Sequence, residues 1–186
     1  ALLAKEGYRT LAPDQRGYSP GARPRGRRAY RMDKLVGDVV ALLDAAGVEQ
    51  AHVVGHDWGG GAAWGTAQAH PDRVRTLTSL STPHPAAFAR SMVTSTQLLR
   101  SWYMLAFQLP WLPEAALTRD PQRLTRRLVE SGLPEDKARI YTEKMLEPGA
   151  LTGGLNWYRA IPFGRAQRRV DVPTLFLWRT GDALVS

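Results

Sequence analysis

The spacing of apolar positions changes several times along this chain, and each change predicts an element. Between residues 33 and 46 the apolar residues fall at helical spacing, whereas residues 51–54 and 74–80 form short apolar runs that predict strands, the first of them buried. A second helix is predicted over about residues 60–69, between these two strands. Strands that alternate with helices indicate a doubly wound, mostly parallel sheet of the α/β class.

Two more strands, a loop and a helical stretch complete the pattern. Residues 8–12 predict a short strand, and residues 173–178 predict a buried one. Residues 15–30 are rich in Gly and Pro and predict a long loop, which in a compact domain commonly lies over a functional site. Helical segments broken by prolines follow from residue 81 to about residue 169. The predicted organisation is the first part of an α/β core at 1–83, an inserted helical subdomain at 84–169 and a continuation of the core at 170–186.

Composition limits the classes of function. The chain has 186 residues, of which 44% are hydrophobic and six are Trp, as in a packed domain. It has no Cys, which excludes disulfides and cysteine-based metal sites or nucleophiles, and no apolar run long enough to span a bilayer. The net charge of +8 is accompanied by no nucleic-acid-binding motif, so we expect neither nucleic acid nor a membrane as a partner. Two arginine clusters are interpreted as solvated faces: Arg16, Arg23, Arg25, Arg27, Arg28 and Arg31, then Arg119, Arg123, Arg126 and Arg127.

The segment GHDWGG at residues 55–60 carries the clearest chemical signal. It follows a predicted strand and precedes a predicted helix, which is the strand–sharp turn–helix pattern of a nucleophile elbow. Asp57 stands at the apex, where a serine is usual. A carboxylate that attacks a saturated carbon forms an ester, whose carbonyl water can then attack, so Asp57 is interpreted as a nucleophile toward epoxides or alkyl halides. The alternative is that Asp57 only caps the following helix.

Several separated motifs resemble those of the α/β-hydrolase superfamily and, within it, the epoxide hydrolases. GYRTLAPDQRGY at residues 7–18 resembles the family's stretch before the elbow, and GHDWGG resembles its nucleophile motif, which haloalkane dehalogenases share. The helical insertion, which corresponds to the family's cap, distinguishes the two classes. YMLAFQLP at residues 103–110 and LNWYR at residues 155–159 are similar to two cap motifs of epoxide hydrolases.

The resemblance implies roles for particular residues. Tyr103 and Tyr158 correspond to the two phenols that hydrogen-bond the epoxide oxygen and stabilise the alkoxide as the ring opens, although each could instead serve ordinary helix packing. Asp182 corresponds to the acid that orients the general-base His. The backbone N–H of Trp58 corresponds to an oxyanion-hole donor. The expected pocket residues are Trp58, His56, His84 and Phe107.

The chain also departs from the family pattern. The catalytic His should follow Asp182, but only four residues do and none of them is His. The family's His-Gly-x-Pro loop is missing because it would lie before Ala1, and a strand expected between residues 8–12 and 51–54 is missing too. The chain opens without an initiator Met, in what reads as the tail of a helix. We therefore expect a piece of a longer protein, truncated at both ends.

The sequence thus predicts a hydrolase that opens an epoxide to a diol through an aspartyl alkyl-enzyme ester, with no metal or organic cofactor. Without the general-base His, these 186 residues are expected not to turn over. Two alternatives stay open: a haloalkane dehalogenase-like hydrolase, and a truncated domain without catalysis, such as an arginine-rich binding module. A cytoplasmic location is expected, and the oligomeric state is not predicted.

Overall fold

Three parallel strands form the sheet of this protein, whose computed structural model describes residues 2–164 and 169–178. The strands are β1 (Ala51–His56), β2 (Val74–Leu80) and β3 (Thr174–Leu177). They lie in the order β1-β2-β3, and their carboxyl ends are in register, because His56 pairs with Leu80 and Leu80 with Leu177. These ends therefore share one edge, which is where open α/β sheets bind their ligands.

Helices make up most of the rest of the described chain. They are α1 (Leu2–Lys5), α2 (Met32–Ala45), α3 (Trp58–Ala69), α4 (Pro85–Thr94), α5 (Gln97–Arg100), α6 (Trp102–Ala106), α7 (Leu112–Thr118), α8 (Pro121–Glu130), α9 (Glu135–Leu146) and α10 (Ala150–Arg159). Short 3-10 turns occur at Pro20–Ala22, Arg27–Tyr30, Pro71–Arg73 and Ile161–Phe163. Among the described residues, none of the helices combines the length and the apolar character needed to cross a bilayer.

The helix α3 joins β1 to β2 and lies against both strands. Its sequence is rich in Gly and Ala, which lets the helix approach the sheet closely, and residues 60–67 are all buried. Trp64 and Ala67 of this helix pack with Val74 and Leu77 of β2 in one core cluster. A second cluster joins α2, α3 and α10 to the turn before α2: Tyr30, Leu35, Ala62, Trp157 and Ala160.

Most of the predicted elements are present, with small shifts at their ends. The helix predicted over residues 33–46 is α2, and the one predicted over about 60–69 is α3, which already begins at Trp58. The strand predicted over 74–80 is β2. Between β2 and β3 the described residues form helices, turns and loops without a strand, in agreement with the predicted helical stretch. The division into core and insertion stays a prediction.

The strand predicted over residues 8–12 is absent. These residues are exposed and have no regular secondary structure, although the Tyr8 ring lies edge-on to His52 of β1 with centroids 6.5 Å apart. A strand is stabilised by hydrogen bonds to a neighbouring strand. In the part of the chain that the structure describes, β1 is an edge of the sheet and no strand lies between it and this segment.

The predicted burial of the outer strands is also wrong. All four residues of β3 are exposed, and on β1 the side chain of Val54 is 56% exposed while Val53 packs against the α3 cluster. Successive side chains of a strand point to opposite faces, so α3 covers one face of β1 and leaves Val54 on the other. An apolar run predicts a strand, but its burial depends on the elements that cover each face.

Candidate active site

Asp57 forms the turn between β1 and α3 in a strained backbone conformation. Its φ of 51° and ψ of −127° lie in a region that residues other than Gly rarely adopt, at a cost of about 1–3 kcal/mol. Asp57 occupies the N-cap position of α3, but its exposed side chain makes no capping hydrogen bond to the helix. Strain of this kind clusters at functional sites, where the surrounding structure holds the residue in place.

The tight turn requires a glycine at position 55, and this makes a test of the elbow possible. A Cβ atom at Gly55 would lie 2.3 Å from the carbonyl oxygen of Gly59, a backbone atom that cannot move aside. We expect Gly55→Ala to lower the free energy of unfolding by about 3 kcal/mol. Gly37→Ala in α2 is the control, because open space surrounds Gly37 and Ala favours a helix by about 0.5–1 kcal/mol. Urea unfolding measures both changes, and equal stability of Gly55→Ala and the parent chain would contradict the close packing of the elbow.

Thr82, which sequence reasoning missed, supports the elbow from the neighbouring strand end. Its hydroxyl donates to the carbonyl oxygen of Asp57 at 3.1 Å, and its own carbonyl oxygen accepts from Trp64 Nε1 at 3.0 Å and Ser79 Oγ at 2.6 Å. A Cβ at Gly60 would lie 2.6 Å from the Thr82 side chain, so the helix and this turn meet closely. The sequence could have indicated Thr82 by its position alone, since it follows β2 at the sheet edge that carries Asp57.

Four of the predicted site residues form one group of aromatic rings. The Tyr158 ring of α10 lies perpendicular to Trp58, with centroids 5.0 Å apart, and it also contacts Phe107 at 5.0 Å. Tyr103 of α6 lies 6.0 Å from Tyr158 and 5.6 Å from Phe107. The helices α6 and α10 therefore bring the two tyrosines together beside the first residue of α3, which directly follows Asp57.

Burial and the nearby carboxylate both keep the Tyr158 phenol protonated. Burial raises the pKa of Tyr158 above its ordinary value, and the charge of Asp57 raises it further, while a hydrogen bond with the Trp58 side chain opposes the shift. A phenol with a raised pKa remains a hydrogen-bond donor at neutral and moderately alkaline pH. The interaction with the charge of Asp57 also links Tyr158 to the elbow.

The sequence of this chain matches one known protein family along its whole length. The sequence profile of the α/β-hydrolase fold matches residues 1–186. The chain belongs to the α/β-hydrolase fold family. Epoxide hydrolase A of Mycobacterium tuberculosis is 36% identical to this chain, over 99% of the chain and 70% of the relative. The AB hydrolase superfamily protein YfhM of Bacillus subtilis is 38% identical, over 99% of this chain and 68% of the relative.

Solved structures of epoxide hydrolases share the fold of this α/β-hydrolase chain. One from metagenomes of hot environments has a TM-score of 0.76 and 30% identity, covering 94% of this chain and 66% of that structure. An epoxide hydrolase from Vigna radiata has a TM-score of 0.75 and 30% identity, covering 94% and 64%. The chain thus spans about two thirds of these structures, and 54% of human epoxide hydrolase 4, to which it is 34% identical.

Tyr18 is a third tyrosine of this α/β-hydrolase that lies near the elbow, and sequence reasoning gave it no role. Burial raises the pKa of Tyr18, and the charge of Asp57 adds to the shift. Its ring lies 6.2 Å from that of Trp157, whose Nε1 donates to the Arg16 carbonyl oxygen at 2.9 Å. These two contacts attach the first residues of the predicted long loop to α10. The signal in the sequence was that Tyr18 belongs to this loop, which was expected to lie over a functional site.

The arginines of this loop are only partly a solvated face. Arg23 has a side chain that is 10% exposed, and it donates to Glu147 Oε2 at 2.6 Å and to the carbonyl oxygens of Tyr18 and Pro148 at 3.0 and 3.1 Å. Arg16 forms a two-pronged ion pair with Asp38 of α2. The interpretation of the first arginine cluster as solvated is therefore wrong for these two members, which hold the loop in place.

An ion pair joins α10, which carries Tyr158, to α7, the helix that follows the Tyr103 helix α6. Arg159, next to Tyr158, donates from Nη1 to Glu114 Oε1 at 2.5 Å and from Nη2 to Glu114 Oε2 at 2.8 Å. The two side chains are 9% and 20% exposed. The hydrogen bond from Arg159 lowers the pKa of Glu114, against the opposing effect of burial. Sequence reasoning did not find this pair, because the two residues are far apart along the chain.

This ion pair predicts a pH dependence of stability. Because the pKa of Glu114 is lower in the folded state, its contribution is fully present above the ordinary glutamate value of about 4.3 and is lost as the pH falls through the folded-state value. We expect Glu114→Gln to be less stable than the parent chain at pH 7, with the difference shrinking below pH about 4. Urea unfolding across this pH range tests it, and a difference that does not change with pH would contradict the assignment.

The remaining predicted residues are less closely connected to the aromatic group. His84 lies at the start of α4, where its Nδ1 accepts from the Ala86 N–H at 3.2 Å and its ring lies 5.1 Å from that of Trp64. His56 is exposed at the end of β1, directly before Asp57. Asp182 lies outside the described residues. The roles of these three residues, like those of Asp57 and the four aromatic residues, stay predictions.

Proposed function

We propose that this α/β-hydrolase opens epoxides to diols through a covalent ester on Asp57. The single observation that carries the proposal is the strained, uncapped elbow of Asp57 beside the Tyr103–Tyr158 pair. The names of the relatives support the same substrate class, since epoxide hydrolase A and human epoxide hydrolase 4 are both similar to this chain. The proposed cap is the helical stretch at 84–169, which contributes both tyrosines.

In the proposed first step, a carboxylate oxygen of Asp57 attacks one ring carbon of the epoxide. A carbon–oxygen ester bond forms, the ring carbon–oxygen bond breaks, and the departing oxygen keeps the electron pair. Tyr103 and Tyr158 donate hydrogen bonds to this developing alkoxide, and one phenol transfers its proton to it. Because burial and Asp57 both favour the neutral phenol of Tyr158, the donor is protonated when the ring opens.

In the proposed second step, water attacks the ester carbonyl and releases the diol. Trp58 begins α3, and the first N–H groups of a helix have no partner within it, so its N–H is suited to the oxyanion. The step needs a general base, which we propose to be a His oriented by Asp182 and supplied by sequence beyond the 186 residues. We expect the chain alone to stop at the ester, and continuous diol formation by the chain alone would contradict this.

A mass measurement distinguishes the substrate classes. The chain is incubated with styrene oxide and, separately, with a bromoalkane, and the intact protein is weighed. An epoxide adds its whole mass, because its oxygen stays attached, whereas a bromoalkane adds only its alkyl group and releases bromide. We expect the epoxide adduct. Alkylation by the bromoalkane alone, unchanged in Tyr103→Phe, would favour the dehalogenase alternative, and no adduct from either reagent would contradict both hydrolase hypotheses.

A further inference from the structure

We propose that Arg159, with Glu114 and Gln108, positions the Tyr103–Tyr158 pair for ring opening. This inference rests on the proposed function and assigns positioning residues that act through the two tyrosines. The starting observation is that the tyrosines sit on separate helices, α6 and α10, whose relative placement decides whether both phenols can reach one oxygen atom. The side chains of Arg159, Glu114 and Gln108, here called the brace, join the segment after α6 to α10.

The guanidinium of Arg159 holds the segment that follows α6. Its Nε donates to the Phe107 carbonyl oxygen at 2.9 Å and its Nη2 to the Leu109 carbonyl oxygen at 2.7 Å. The same group makes both hydrogen bonds to Glu114 in the first turn of α7. One planar guanidinium therefore fixes three points of the α6–α7 segment relative to α10, which a flexible lysine ammonium cannot do with the same geometry.

Gln108 completes the brace in the opposite direction. Its Nε2 donates to the carbonyl oxygen of Tyr158 at 2.8 Å, so a side chain of the segment after α6 also binds the backbone of α10. Thr152, six residues before Tyr158 on α10, donates to Glu114 Oε1 at 3.3 Å. The hydrogen bonds thus run both ways between the two segments, and they converge on the residues next to Tyr158.

The brace reaches the tyrosines through short, direct connections. Arg159 donates to the carbonyl oxygen of Phe107, and the Phe107 ring packs against both phenol rings. Its centroid lies 5.6 Å from that of Tyr103 and 5.0 Å from that of Tyr158. Its backbone N–H donates to the Tyr103 carbonyl oxygen at 2.9 Å, so the two residues lie one helical turn apart. A shift of the Phe107 backbone therefore changes the separation of the phenols. A displacement of about 1 Å at a reacting group can slow a reaction by up to about 100-fold.

A double-mutant cycle on the adduct-forming reaction tests the brace. The rate of ester formation with styrene oxide is measured by intact mass for the parent chain, Arg159→Lys, Arg159→Met, Glu114→Gln, the double variant Tyr103→Phe/Tyr158→Phe, and that double variant combined with Arg159→Met. We expect Arg159→Met to slow ester formation by about 10- to 100-fold. Glu114→Gln should slow it less, and the rate of Arg159→Lys should fall between those of Arg159→Met and the parent chain. In the chain that lacks both phenols, Arg159→Met should have no further effect, because the group that it positions is gone.

Two measurements separate this inference from a general loss of structure. Thermal unfolding is recorded for every variant, and Arg139→Met, an exposed arginine of α9, is the matched control that should react at the parent rate. If Arg159→Met does not fold, Glu114→Gln carries the test alone. A parent rate for the folded brace variants, or an equal slowing by Arg159→Met with and without the phenols, overturns the brace while leaving the proposed function standing. A parent chain that forms no ester overturns the proposed function itself.

Discussion

Replacing Asp57 by Asn is expected to slow ester formation by at least about 10⁴-fold, the scale on which loss of a nucleophile acts in a covalent hydrolase. The amide has nearly the same shape as the carboxylate but is a far weaker nucleophile. Asn also tolerates positive φ better than most residues, so the strained elbow should persist in the variant. The measurement is the rate of mass increase with styrene oxide, together with thermal unfolding of both proteins.

The control for this variant is Asp44→Asn, since Asp44 is an exposed aspartate near the end of α2. It should form the adduct at the parent rate. If Asp57→Asn reacted as fast as the parent chain, the elbow would have no nucleophilic role, and the non-catalytic alternative would gain support. If both variants lost reactivity, the cause would be a general effect of carboxylate loss on the protein.

Removing the phenol hydroxyls is expected to have the second largest effect. Tyr103→Phe and Tyr158→Phe each take one donor from the developing alkoxide, and loss of one such donor typically costs about 10²- to 10³-fold. The double variant should be slower than either single variant, because the alkoxide then has neither donor. The phenyl rings preserve the ring contacts with Phe107 and Trp58, so the free energy of unfolding should fall by no more than about 1 kcal/mol, from the lost hydrogen bond between Tyr158 and the Trp58 side chain.

Tyr141→Phe provides the comparison for these variants. Tyr141 lies on α9 and is 50% exposed, so it reports the effect of removing a phenol away from the elbow. Parent rates for Tyr103→Phe and Tyr158→Phe would support the alternative that these residues serve only helix packing. A rate loss confined to one of them would show that a single phenol carries the proton and that the pair does not act together.

The elbow could be predicted from the sequence because its determinants are local. Gly55 and Gly60 allow the close approach of β1, α3 and the turn at Thr82, and these glycines flank Asp57 within six positions. The alternation of β1, α3 and β2 is equally local, since each element shows its own hydrophobic period. The aromatic group was found in part for another reason: the motifs around Tyr103 and Tyr158 resemble those of a family.

The parts that sequence reasoning missed depend on contacts between distant residues. Arg159 and Glu114 are separated by 45 positions, and Thr82 and Asp57 by 25, so neither pair has a spacing that a local pattern could reveal. The apolar run of β3 predicts the strand correctly, but its exposure depends on what covers the sheet. Residues 8–12 have strand-like composition and still form no strand, because pairing requires a neighbour.

The most direct test of the account is to locate the ester by peptide mass spectrometry after reaction with styrene oxide. We expect one modified peptide, with the added mass of the whole epoxide on Asp57. The modification should disappear in Asp57→Asn. An ester on another carboxylate, or an unmodified Asp57 in a chain that has gained the mass of the epoxide, would contradict the assignment of Asp57 as the nucleophile.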